Sequence, residues 1–159
     1  MDRPARVVPT CFPTDNTIME VEFVVIDPGS GFTREEIVVP DVPRSHELEP
    51  PAMRAGGYLF LSGIATENPA PRPASWPSEE ARAVIADALR KARAICSAAG
   101  AGIQNTLRLR LALSDLSWLA QARQEWSGMI GELSPMSAFG TSGPLRPDLA
   151  PAANLDLVA

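Results

Sequence analysis

The sequence predicts an α+β fold in which one sheet carries two helices on a single face. Three observations support it. Apolar residues between Ser78 and Ala99 recur at helical spacing. Thr106 to Leu113 alternates apolar and polar, the period of a half-buried strand. From residue 45 onward the segments run strand, strand, helix, strand, helix, strand, strand, an order that one sheet with both helices on one side satisfies.

Each element has its own signal. In residues 1 to 26, Val7, Val8 and Cys11 form a short apolar stretch and Phe12-Pro13-Thr14-Asp15-Asn16 is turn chemistry. Met19, Val21, Phe23 and Val25 then alternate with Glu20 and Glu22, so the segment reads as two strands. Two strands alone are marginal in water, so this pair needs a partner. Asp27-Pro28-Gly29-Ser30-Gly31 breaks the pattern, and residues 27 to 44 read as a linker with one short strand at Ile37-Val38-Val39. Gly56-Gly57 predicts a hairpin turn that leads into a buried strand, Tyr58 to Leu61. Asn68 to Pro77 holds four prolines and reads as a loop, with Trp76 packed among them.

Ser78 is a candidate N-cap, with Glu79 and Glu80 in the first turn where the helix dipole favours acids. Ile85, Leu89, Ala92, Cys96 and Ala99 form the apolar face of that helix, and Gly100 stops it. In the next strand Leu107, Leu109, Leu111 and Leu113 share one side. Arg108 and Arg110 share the other, a solvated or interface face. Asp115 or Ser117 caps a second helix that ends at Gly131, with Trp118 or Leu119, Ala122, Trp126, Met129 and Ile130 toward the core. Ala138 to Ser142 is a candidate strand, Pro144 to Ala153 a proline-rich turn, and Asn154 to Ala159 a closing strand.

Composition excludes several function classes. Of 159 residues, 45% are hydrophobic and 21% charged, enough to build a core. Net charge is −5, from 14 basic and 19 acidic side chains, which argues against a phosphate-backbone partner. The single histidine, His46, cannot build a His-rich metal site and reads as a surface linker residue. Cys11 and Cys96 have no metal-ligand spacing and read as two buried thiols. No apolar run approaches the roughly 20 residues a membrane span needs, and Met1-Asp2-Arg3-Pro4 opens no signal peptide. These features predict a soluble cytoplasmic protein with no membrane or nucleic-acid partner.

Several short stretches, in order, resemble the reactive-intermediate deaminase (Rid, or YjgF-like) superfamily. Ala55-Gly56-Gly57-Tyr58-Leu59-Phe60-Leu61-Ser62-Gly63 is similar to the family's first hairpin. Ala98-Ala99-Gly100-Ala101 is similar to its first helix end, and Leu111-Ala112-Leu113-Ser114-Asp115-Leu116 to the strand and turn that follow. Asn154-Leu155-Asp156-Leu157-Val158-Ala159 is similar to the terminal strand, so the resemblance spans residues 45 to 159. It implies a Rid-like (chorismate-mutase-like) mixed sheet in a trimer or pseudo-trimer, with ligand clefts between neighbouring subunits.

The resemblance also implies site residues. Active members carry an arginine in a Pro-Ala-Arg motif and a glutamate at the start of the last strand. Here those positions hold Ser137, in Pro135-Met136-Ser137, and Asn154. The glutamine expected after Ser62-Gly63 is Ile64, and the tyrosine expected before the first hairpin falls near Glu49. The complete domain thus departs from the family at each chemical position. Residues 1 to 26 resemble the last two strands of a second Rid domain: Pro4-Ala5-Arg6 matches the motif and Glu20 the glutamate. Arg6 and Glu20 are therefore the candidate catalytic pair, with Ser62, Gly63, Ser137 and Asn154 as candidate substrate-binding residues. No metal or organic cofactor is implied.

The resemblance implies a hydrolytic deaminase of a small enamine, imine or amino-diene carboxylic acid. The alternatives are a non-catalytic Rid-fold subunit that binds a metabolite or partner chain, and a tandem-Rid-type enzyme acting on a cyclic acid such as chorismate. The expected assembly is a homo-oligomer, a trimer, or a hetero-oligomer with a second Rid-like chain.

Overall fold

The longest element forms where the helical periodicity is strongest. In the computed structural model, which describes residues 27–42, 50–65, 78–113, 116–131, 136–140 and 153–159, α1 spans Ser78–Ala98. At 1.5 Å per residue it is about 31 Å long. Ile85, Leu89, Ala92, Cys96 and Ala99 are buried as the pattern requires, and Ala88 and Ile95 join them. Ala88 and Ala92 are fully buried, and their small size lets the helix backbone approach the sheet closely. Gly100 ends the helix at φ +70°. Its N–H donates to the Ser97 carbonyl at 3.0 Å, and the Ala101 N–H donates to the Cys96 carbonyl at 2.8 Å. That pair of bonds is a Schellman motif, which satisfies carbonyls the helix end would leave orphaned.

The sheet comprises β1 (Arg34–Ile37), β2 (Ala52–Ala55), β3 (Tyr58–Leu61), β4 (Ile64–Ala65), β5 (Arg108–Leu113), β6 (Met136–Gly140) and β7 (Ala153–Val158). The second helix, α2, is Leu119–Ile130. Strand order is β1-β2-β3-β7-β5-β6, with β4 also pairing with β7. The β2–β3 hairpin turns at Gly56 and Gly57, both at positive φ, as a two-residue primed turn demands. β5 and β6 are parallel, and α2 is the crossover such a pair needs. Every other strand pair is antiparallel, so the sheet is mixed. β7 lies between β3 and β5, where Leu59 and Ala159 exchange backbone hydrogen bonds at 2.6 and 2.9 Å.

One core fills the space between sheet and helices. Ile37, Ala52, Leu59, Leu61, Ile64, Leu109, Leu111 and Leu113 from the sheet meet the apolar face of α1 and Trp118, Ala122 and Trp126 beside it. Leu119, Met129 and Ile130 pack at its margin. The Arg82 guanidinium on α1 pairs with Glu125 on α2 across the outside of the two helices.

Several boundaries differ from the sequence reading, each for a local reason. The strand expected at Ile37-Val38-Val39 is Arg34–Ile37. It pairs with β2 over its whole length, and Val38 is left 56% exposed. The leucine strand starts at Arg108 because Thr106 closes a 3-10 turn, its hydroxyl donating to the Ile103 carbonyl at 2.5 Å. Leu107 is consequently 57% exposed and does not join Leu109, Leu111 and Leu113. A 3-10 turn over Leu116–Trp118 leads into α2, so the N-cap position is Trp118, which makes no side-chain cap hydrogen bond; of the two expected caps, Asp115 lies outside the described residues and Ser117 falls within the turn. Burial of the Trp118 indole sets where that helix begins. The strand expected at Ala138 to Ser142 is Met136–Gly140. The two-residue β4 has no periodicity signal and is visible only through its pairing with β7.

Arg54 ties β1, β2 and α1 together. Its guanidinium donates to Glu35 at 2.7 Å and to the carbonyl of Ala99, just past the end of α1. Arg54→Met keeps the aliphatic stem and loses both contacts. Arg54 and Glu35 are well exposed, so the expected cost is only about 1 kcal/mol. Urea denaturation measures it, and an unchanged midpoint would show that water replaces the guanidinium at that carbonyl.

Candidate functional site

Positions 137 and 154 lie on the two strands that flank β5. Ser137 on β6 stands in register with Arg110, and Asn154 on β7 with Ala112. On the other side of Arg110, Asp156 of β7 holds the register position. Leu109, Leu111 and Leu113 are buried toward the helices, so strand alternation turns Arg108 and Arg110 to the opposite face. Both arginines are half-buried, and Ser137 is exposed.

That face carries a second row of side chains. Glu36, Met53, Phe60, Val158 and Arg108 stand in register across β1, β2, β3, β7 and β5. Met53 and Val158 are buried and Phe60 is half-buried. The Phe60 and Tyr58 rings lie 6.3 Å apart at 50°, a tilted aromatic pair. The face is therefore apolar and aromatic over β2 and β3 and basic over β5.

Ser62 and Gly63 follow β3 and are both buried. The Ser62 hydroxyl donates to the Pro50 carbonyl at 2.6 Å, and its N–H donates to the Pro51 carbonyl at 2.9 Å. These bonds staple the chain before β2 to the end of β3. With its proton committed, the hydroxyl presents only acceptor lone pairs to anything else.

The helical side of the molecule offers a different surface. A shallow groove of about 420 Å³ between α1 and α2 is lined by Arg82, Arg93, Gln124, Glu125, Gly128 and Met129. On α1, burial raises the pKa of Asp87, but hydrogen bonds and charge from Lys91 and Arg90 outweigh it and hold the carboxyl below its ordinary value. Among the described residues no group of three or more His, Cys, Asp and Glu side chains is placed to hold a metal ion. No helix among them is long and apolar enough to cross a membrane.

Cys96 is fully buried in the core, and burial pushes its thiol up to about 11. The thiolate is the reactive form, so native protein at pH 8 will resist alkylation at Cys96. Peptide mass mapping after iodoacetamide treatment checks this. Modification at the rate seen in denatured protein would contradict the burial.

Comparison with solved structures decides the fold. A Mycobacterium tuberculosis member of the YjgF/YER057c/UK114 family superposes with a TM-score of 0.61 at 20% identity, covering 80% of this chain and 98% of that one. YyfA from Yersinia pestis, of the Rid protein family, gives 0.63 at 15% identity over the same shares. RidA from an Antarctic Psychrobacter species gives 0.62 at 17% identity, covering 78% of this chain and 98% of that one. This chain has the Rid fold. No family model and no curated protein matches the sequence.

Within the Rid fold the candidate residues separate into distinct places. Arg6 and Glu20, with Cys11, His46 and Trp76, lie outside the described residues. Asn154 pairs with Ala65 of β4, so the stretch after Gly63 runs beside β7. Ser137 lies across β5 from Asn154, two strand spacings over and two residues along, about 12 Å away. It is farther still from Ser62, so these four residues do not converge on one point. The sequence reading placed Arg108 and Arg110 on the polar face of their strand but did not connect them with Ser137. That connection is a register between strands separated by a helix, and no local pattern encodes it.

Proposed function

We propose that this chain is a hydrolytic deaminase of small enamine or imine carboxylic acids, with Arg6 and Glu20 as its chemical pair. The observation that carries this reading is a pairing of positions. In the complete domain, positions 137 and 154 flank β5 and hold serine and asparagine, neither of which supplies a permanent charge. The arginine and glutamate that would serve such a site stand instead at 6 and 20, in a segment that resembles the same two strands. Arg6 would bind the substrate carboxylate through two parallel N–H donors. Glu20 would orient the water that attacks the imine carbon and accept its proton. The imine carbon is already electrophilic, so the reaction needs no cofactor: imine and water give a 2-oxo acid and ammonia.

The test generates 2-iminobutyrate in situ from an amino acid and an amino-acid oxidase, then follows its loss with and without the protein. Acceleration above the uncatalysed rate is the expected result. Hydrolysis no faster than in buffer sinks the reading.

A second reading, a non-catalytic subunit that binds a metabolite or a partner chain, is favoured by Ser137 and Asn154 themselves. A binding site retains its use without an ionised water-positioning group. A second Rid-like chain copurifying at fixed stoichiometry supports it. Light scattering that gives three identical chains, with turnover, favours the first. Two neighbours, from Thermotoga maritima and Entamoeba histolytica, are described as candidate endoribonucleases. The net charge of −5 here argues against a polyanionic substrate.

A further inference from the structure

We propose that the groove between α1 and α2 docks an acidic α-helix of another protein, with the Arg93 guanidinium as its anchor. The proposal is independent of Arg6, Glu20 and the deaminase reading.

The charges in the groove do not balance. Arg82 and Arg93 both line it from α1, about three turns or about 16 Å apart along the helix axis. Arg82 has a partner, Glu125 on the opposite wall. Arg93 is exposed, and its neighbours one turn away are Leu89, Arg90, Cys96 and Ser97, none of them acidic. It forms no ion pair among the described residues. Two guanidiniums and one carboxylate therefore give the groove a positive balance, in a chain whose net charge is −5.

Gly128 is the second observation. It lines the groove from the last turn of α2, where its backbone is helical and needs no glycine. A Cβ added there would meet nothing within 4 Å. Alanine would hold the helix better, and no described neighbour requires the missing side chain. The bare backbone instead leaves room for something that approaches from outside the chain. Beside it the half-buried Met129 offers a flexible apolar contact.

These features define the occupant. The space between two neighbouring helices is where a third can lie, ridge into groove. A helix with acids about three turns apart would reach Arg93 with one carboxylate. The other would take the donors of the Arg82 fork that Glu125 leaves over. A small or apolar residue between them would sit over Gly128 and Met129. Most of the lining is polar, so the contact is transient and sensitive to salt.

The experiment titrates the full chain into a fluorescein-labelled helical peptide of alanine and leucine, with glutamates about three turns apart, and reads anisotropy. The peptide should bind at low salt and weaken at least about tenfold at about 0.5 M salt. Arg93→Glu should weaken it about tenfold. Gly128→Leu should do the same by filling the groove. Leucine is the better helix former, so the urea midpoint of that variant should not fall, which separates the loss from a folding defect. Glu125→Gln removes the rival carboxylate and should tighten binding about twofold. The proposal is overturned if the peptide fails to bind by about 1 mM. It is also overturned if Arg93→Glu and Gly128→Leu bind as the parent does, or if a glutamine version of the peptide binds equally well. A change of oligomeric size in Gly128→Leu, read by light scattering, would show a second copy in the groove and overturn it as well. Absence of deamination removes the proposed activity and leaves this binding result intact.

Discussion

Leu111→Ala will destabilise the protein by about 3 kcal/mol, while Leu107→Ala will change stability by no more than about 0.5 kcal/mol. Leu111 is 2% exposed at the centre of β5, between Ala138 of β6 and Leu155 of β7. It faces a helix drawn close by Ala88 and Ala92, which are already minimal and cannot move in to fill a void. Truncation therefore loses the transfer energy of the missing carbons and leaves a cavity as well. Leu107 has water on most of its surface and loses little. Chemical denaturation of the two variants side by side measures the difference. Equal effects would mean that Leu107 is buried in the folded protein or that the core collapses around position 111.

If the proposed mechanism holds, Arg6→Ala and Glu20→Gln will carry the largest functional effects. Losing a charge-assisted bond to the substrate carboxylate is worth about 1.5–3 kcal/mol, so Arg6→Ala should lower kcat/KM by about 10- to 100-fold. Glu20→Gln keeps the shape but cannot accept a proton from water, and should lower kcat by about 10²- to 10⁴-fold with little change in KM. Steady-state kinetics on 2-iminobutyrate separate the two roles. Full activity in either variant removes that residue from the chemistry. Full activity in both removes the N-terminal segment from the proposed mechanism.

Much of the fold was legible because strong periodicity and special glycines act locally. Ile85, Leu89, Ala92, Cys96 and Ala99 identify α1 with its buried face, since only a 3.6-residue repeat places them together. Gly56-Gly57 and Gly100 mark a hairpin and a helix end, because both need a positive φ that other residues resist. Weak or competing local signals misled at the boundaries. Leu107 continues the alternation on paper, but Thr106 closes a turn just before it and the strand begins one residue later. Nothing in Ile64-Ala65 announces a strand, since two residues have no period.

The candidate site was less legible. Ser137 and Asn154 were singled out as positions where the Rid resemblance expects charge and finds none. That Arg110 stands beside Ser137 depends on the β5–α2–β6 crossover, which brings residues 27 apart in sequence into register. Likewise, Ser62 is a candidate substrate-binding residue by resemblance, and only the structure shows its hydroxyl committed to the Pro50 carbonyl.

By itself, then, the sequence determined the type of every longer element, the two helix faces, the hairpin turn and the Rid resemblance, all consequences of short-range sterics and the burial of periodic apolar residues. Similarity at 13–21% identity is enough for this, because a core needs apolar side chains of suitable volume more than particular ones. Only the tertiary structure decided the strand order, the place of β7 in the middle of the sheet, the exposure of Leu107 and the pairing of Arg110 with Ser137. Those are long-range pairings. They are selected by how one sheet can close over one helical layer, and hydrogen bonding between distant strands leaves no period in the chain that forms them.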